Sequence, residues 1–128
     1  MKKQIIEIIL ICMCVVGCRT FPPVHNIEHQ AVSVHDQQRV EEMIIAGGMR
    51  AKGWQISKVK DGLLLGTFAI RAHQFTVEIP YTADEYSILY KDSENLRYNA
   101  KKNTIHPRYN RTVANLARSI NKMFLRQQ

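Results

Sequence analysis

The chain has 128 residues and a formal charge of +7, from 18 Lys and Arg against 11 Asp and Glu. Its three cysteines, Cys12, Cys14 and Cys18, all fall near the amino terminus. The remainder of the chain is long enough for one domain and too short for two. Having no thiol, that stretch excludes a disulfide, a Cys-based zinc site and a cysteine nucleophile.

The first residues read as a leader. Lys2 and Lys3 make a positive start, Ile5 to Val16 is apolar except for Glu7, and Gly17 places a small residue before Cys18. A basic start, a short apolar segment and a small-residue cleavage site form the pattern of an export signal. A helix over residues 5–17 reaches only about 20 Å, short of the roughly 30 Å hydrocarbon core of a bilayer. Polar residues and Pro22-Pro23 come at once after it, so a permanent span is not expected.

Val15-Val16-Gly17-Cys18 resembles the lipobox of bacterial lipoproteins, with Val15 where that class usually has Leu. The resemblance implies that residues 1–17 are a signal peptide. It also implies that Cys18 receives a diacylglycerol group, is acylated with a fatty acid such as palmitate, and becomes the first residue of the mature chain. The membrane is then the first partner, through the lipid on Cys18. In enteric-type sorting an Asp after the cysteine retains the protein in the inner membrane. Arg19 stands there instead, so the resemblance implies the outer membrane, with the domain facing the periplasm. Without Lys2, Lys3 and Glu7, 16 basic and 10 acidic residues remain. That balance favours anionic surfaces such as lipid head groups, lipopolysaccharide or acidic glycans. Nucleic acid is set aside because an exported chain does not normally meet it.

Residues 18–34 read as a lipid-anchored tether and 35–128 as a single domain. The tether holds Pro22-Pro23, which stiffen such a segment. It also holds His25 and His29, spaced four apart; they are read as polar tether residues rather than as a metal pair.

Asp36 to Lys52 reads as a helix. Val40, Met43, Ile44, Gly47 and Ala51 recur on one face of a 3.6-residue period. Ser33 or Asp36 is a candidate cap, and Gly53 a candidate stop. Gly47-Gly48 mid-helix costs about 1 kcal/mol each relative to Ala. Close packing of the helix on a sheet accounts for them better than approach of a phosphate, since no phosphate-loop pattern surrounds them.

From Trp54 the period becomes two. Trp54–Val59 and Leu63–Ile70 read as strands joined by Lys60-Asp61-Gly62, with Gly62 free to take positive φ. After the turn Arg71-Ala72-His73, Gln74–Tyr81 alternates cleanly, with Phe75, Val77, Ile79 and Tyr81 on one side. Thr82–Glu85 turns the chain and Tyr86–Tyr90 is the fourth strand. Residues 91–107 are polar and irregular, anchored by Leu96, Tyr98 and Ile105. A last helix runs from about Pro107 to Leu125, its apolar face marked by Val113, Leu116, Ala117, Ile120 and Phe124. The expected fold is α+β with the order α-β-β-β-β-α: two layers, a four-stranded antiparallel meander with both helices packed on one face.

No Ser-centred elbow, His-Glu-x-x-His or metal-spaced cluster is present, so neither an enzyme, a metal nor a cofactor is expected. Two candidate surfaces remain. The first is the strand-to-helix connection, with Tyr90, Asp92, Ser93, Asn95, Tyr98, His106, Tyr109 and Asn110 within 21 residues. Loops on a rigid scaffold commonly carry binding groups; the same residues also serve as turn formers and core-closing tyrosines. The second is the stripe Arg111, Arg118 and Lys122, with Arg126 nearby, a candidate contact for an anionic surface. The wording Tyr86-Ser87-Ile88 to Leu96, followed by Ile105-His106 and Tyr109-Asn110-Arg111, is similar to small lipoproteins of Gram-negative bacteria of unassigned function. That resemblance covers roughly residues 36–126 and implies a shared fold and no activity. The expected role is a non-enzymatic interaction or structural module, with an envelope protein as a candidate partner. The alternative is a module binding a small ligand, anionic glycan or lipid through Tyr90–Asn110.

Overall fold

The computed structural model describes residues 20–126. Cys18 and Arg19, and with them the lipidation and sorting expectations, lie outside the described residues. The chain is α+β, with an antiparallel sheet and two helices. In chain order the elements are β1 (Ile27–Ala31), α1 (Gln37–Arg50), β2 (Trp54–Lys60), β3 (Leu63–Ile70), β4 (His73–Pro80), β5 (Glu85–Glu94) and α2 (Pro107–Leu125). The sheet order is β1-β5-β4-β3-β2.

The sheet therefore has five strands where the pattern of the sequence predicts four. β1 lies inside the stretch expected to be a tether, and it pairs antiparallel with β5 through Ile27, Gln30 and Ala31. Only two of its five residues are buried to an intermediate degree, so it carries almost no period-two signal. A bulge breaks its register between Ile27 and Gln30. His29 sits there at φ 53°, in the left-handed region where a bulge places a residue. What holds β1 is the open edge of β5, whose backbone groups need partners. The docking begins earlier still. Pro22 O accepts from Ile105 N at 3.0 Å, and Val24 N donates to Asn103 O at 2.9 Å. From Pro22 on, the stretch expected to be a tether thus docks on the domain.

β5 also runs four residues beyond the predicted Tyr90. Between Thr76 and Val77 of β4 the partners jump from Asp92 to Tyr90, which leaves Lys91 as the bulged residue. β1 pairs with β5 only as far as Ile88. Beyond Ile88 no strand pairs with the outer edge of β5 among the described residues, although Asn26 Oδ1 accepts from Tyr90 N at 2.9 Å, and its polar residues hid its strand character.

The register shows why the layers form. Trp54 pairs with Phe68, Phe68 with Phe75, Gly66 with Val77, and Leu64 with Ile79. These residues share one face, with Trp54, Phe68 and Phe75 in mutual ring contact at 5.0–5.5 Å. α2 lands on that face through Tyr109 against Phe75 at 4.8 Å and Phe124 against Tyr86 at 6.0 Å. α1 lands on it through Gly48 against Ile56. Both helices thus cover one side of the sheet.

The glycines of α1 set how closely the layers approach. A Cβ on Gly47 would lie 2.6 Å from Ile120 Cα, a backbone atom of α2. Ser119 Oγ donates to Gly47 O at 2.7 Å across the same contact. Asp36 caps α1, accepting from Gln38 N and Arg39 N. Below the helix, Glu41 accepts from Tyr81 Oη and pairs with Lys58 Nζ at 3.0 Å, which also reaches Asp61 at 2.8 Å. Those hydrogen bonds hold the Glu41 carboxyl below the usual carboxylate range.

Candidate functional site

The strand-to-helix connection is a junction in which most of the candidate binding residues have partners within the domain. Tyr109 is completely buried, its ring against Phe75 and Tyr90. Tyr90 is half-buried, stacks on the partly exposed Tyr98 at 4.4 Å, and hydrogen-bonds Ser93 at 2.8 Å. Asn95 takes φ 60° and donates from Nδ2 to Ala72 O at 2.7 Å, tying the β3–β4 turn down. His73 Nδ1 donates to Asn95 O at 3.2 Å. His106 caps α2, its Nδ1 accepting from Arg108 N at 3.1 Å. Asn110 clasps the N-terminal segment: Oδ1 accepts from His25 N and Nδ2 donates to Pro23 O, both at 2.9 Å. Asp92 is exposed on β5 opposite Thr76. The polar groups that resembled a binding set are turn formers, a cap and a clasp. Apart from the exposed Asp92, their chemistry is used within the domain, and Tyr109 closes the core while Tyr98 stays exposed.

The second candidate fares differently. Arg111, Arg118 and Lys122 line a groove of about 830 Å3 beside the C-terminal end of α1. Arg108 and Arg126 extend the row along α2, and Arg50 and Lys52 face it from the end of α1. Trp54, Phe68, Ile70 and Met123 supply its apolar lining. No Asp or Glu lines the groove. Among the described residues none of the seven cations takes part in a salt bridge. Arg118 makes its polar contact with the neutral Asn115, at 3.0 Å.

Helix electrostatics divides these cations into two kinds. Arg50 and Lys52 sit where α1 ends, and the negative end of its dipole accounts for them without a ligand. Arg108 lies in the first turn of α2, which has no acidic residue. There the dipole opposes a cation by about 0.3–1 kcal/mol. The cationic field reaches His106. Burial first, then His73, Arg111, Arg108 and Arg97, push its imidazole below the ordinary range.

Sequence reasoning found three of the seven groove cations, noted Arg126 as a neighbour, and missed Arg50, Lys52 and Arg108. A signal was present: Glu94 is the last carboxylate, and the 34 residues after it carry eight Lys and Arg. Such one-sided charge in a helix and the loop before it gives that surface a positive potential. Arg50 and Lys52 join only because the layers bring the end of α1 to α2.

Among the described residues no group of three or more His, Asp or Glu side chains is placed to hold a metal ion. None of the described helices is long and apolar enough to cross a membrane. Comparisons with protein-family models, with curated proteins and with solved structures found no match.

Proposed function

We propose that this chain is a cell-envelope lipoprotein, anchored by lipid on Cys18 in the outer membrane with its domain in the periplasm. It acts without catalysis, as a module that binds an anionic partner. The observation that carries the binding half is the groove: seven cations, no carboxylate, and a cation in a first helical turn where the dipole disfavours it. Uncompensated like charge lowers the stability of a compact domain unless something of opposite sign meets it. The anchor rests on the leader pattern ending at Cys18.

Each half has its own test. Cys18→Ala should move the protein out of the membrane fraction; an unchanged distribution overturns the anchor. Arg19→Asp should move it to the inner membrane, and identical fractionation refutes the sorting argument. For the groove, heparin serves as a soluble polyanion and Trp54, the single tryptophan, as the reporter. A saturable change in emission, suppressed by salt and lost in Arg118→Glu/Lys122→Glu, is expected. Emission that ignores heparin at low salt overturns the binding reading.

A further inference from the structure

We propose that the groove takes the anionic head group of a phospholipid from the same membrane that holds the anchor, so that the domain lies on the bilayer instead of standing off it. The proposal rests on the lipid-anchor reading and adds the partner's chemistry and the domain's orientation.

The first support is the length of the leash. Pro22 is already hydrogen-bonded to the domain, through its carbonyl to Ile105 N. Phe21 lies 6.0 Å from the His106 ring. Four Cα-to-Cα steps lead from Cys18 to Pro22, and a fully extended chain spans at most about 3.6 Å per step. A lipid on Cys18 therefore leaves the point of docking no farther than about 14 Å from the bilayer surface.

The second is where that point lies. His106 caps α2, and Arg108, two residues on, is one end of the groove. Next to the same docking point, Asn103 and Thr104 bond to Val24 and bridge to Pro23. Lys101 and Lys102, both exposed, lie in the turn just before them. The leash is thus short enough for the end of the domain that carries Lys101, Lys102 and Arg108 to come into contact with the head groups, Arg108 leading into the rest of the groove.

The third is the lining. Cations surround Trp54, Phe68, Ile70 and Met123, a pairing of charge with apolar surface that suits an amphiphile better than a free ion. Each basic residue near an anionic bilayer adds about fivefold to the association, so Arg118 and Lys122 together account for roughly twenty-fivefold.

The test uses the full chain purified from membranes and reconstituted in two kinds of vesicle. One is phosphatidylcholine alone, the other phosphatidylcholine mixed with phosphatidylglycerol. Trp54 emission is expected to shift in the mixed vesicles and to be quenched there by a head-group spin label. The phosphatidylglycerol needed for half the effect should rise about twenty-fivefold in Arg118→Ala/Lys122→Ala. Both side chains are exposed, so the fold should survive their loss. Equal emission in the two vesicles overturns the proposal. So does inorganic phosphate, added to phosphatidylcholine vesicles, if it shifts Trp54 as much as phosphatidylglycerol does, since the ligand is then a free anion. The mass of the same preparation reports the lipid separately. A lipidated chain with a silent Trp54 removes the groove's partner and keeps the anchor. An unmodified chain whose Trp54 still answers phosphatidylglycerol keeps the groove and removes the anchor.

Discussion

Gly47 is the residue where two effects compete most openly. Replacing a mid-helix Gly by Ala ordinarily gains about 1 kcal/mol from helix propensity. Here the new Cβ would lie 2.6 Å from a backbone atom of α2, and neither helix can yield without moving the layer. Overpacking of this kind costs about 1–3 kcal/mol and should win. Urea unfolding of Gly47→Ala is expected to show a lower midpoint than wild type; a higher one would mean the helices part freely. Tyr109 offers the opposite case. Its ring is buried, and its hydroxyl has no hydrogen-bond partner among the described residues. Burial pushes that phenol well above its ordinary range. Tyr109→Phe keeps the ring and deletes an unsatisfied polar atom, so it should raise stability by about 1 kcal/mol. Tyr109→Ala should cost about 3–5 kcal/mol. If Tyr109→Phe proves destabilising in thermal melts, the hydroxyl has a partner after all. The sequence showed Tyr109 as one of several tyrosines in a polar stretch. Which of them turned inward depended on Phe75, 34 residues away.

At the scale of elements, β1 carries the clearest pH dependence. His29 Nδ1 lies 2.9 Å from Glu85 Oε1, and its backbone N donates to Ser87 Oγ at 3.0 Å. The hydrogen bond and charge of Glu85, with a smaller push from Glu28, raise the His29 pKa above 6.5. A raised histidine stabilises the docked strand fully below the unfolded pKa, and that contribution is lost as pH rises through the folded one. Amide exchange at Val32, which donates to Asp84 O, should therefore speed up above about pH 6.5 beyond the intrinsic base-catalysed rate. Glu85→Gln should flatten that excess; a variant that keeps the same profile would place the titration elsewhere. α1, β2 to β4 and α2 were legible from the sequence within a few residues, because each buries one face and repeats with its own period. β1 was not, since a short edge strand with a bulge is held by its neighbour's backbone and not by a pattern of its own. The end of β5 was hidden for the same reason: beyond Ile88 no strand pairs with its outer edge among the described residues, and its residues are polar.

At the scale of the whole molecule, the docking of Pro22 onward changes what an anchor on Cys18 would do. A free tether would let the domain tumble well away from the membrane. A clasped segment fixes which end faces the bilayer. Asn110→Ala, which removes both hydrogen bonds to His25 and Pro23, should loosen the segment without unfolding the core. Protease cleavage before Ile27 is expected to become faster while the melting temperature falls by only a few degrees. Equal cleavage rates would mean that the backbone contacts of Pro22 and Val24 with Ile105 and Asn103 hold the segment without Asn110.

The sequence by itself determined the α+β class, the order of all but one element, and the cationic face of α2. Periodicity and charge count along a chain are local properties, and local properties need no knowledge of neighbours. Only the tertiary structure decided that part of the expected tether is a strand, that Tyr109 of the tyrosine-rich connection is core, and that Arg50, Lys52 and Arg108 join the helix stripe in one groove. Those facts depend on which distant segments meet: an open strand edge calls in β1, and a close glycine contact sets the end of α1 beside α2.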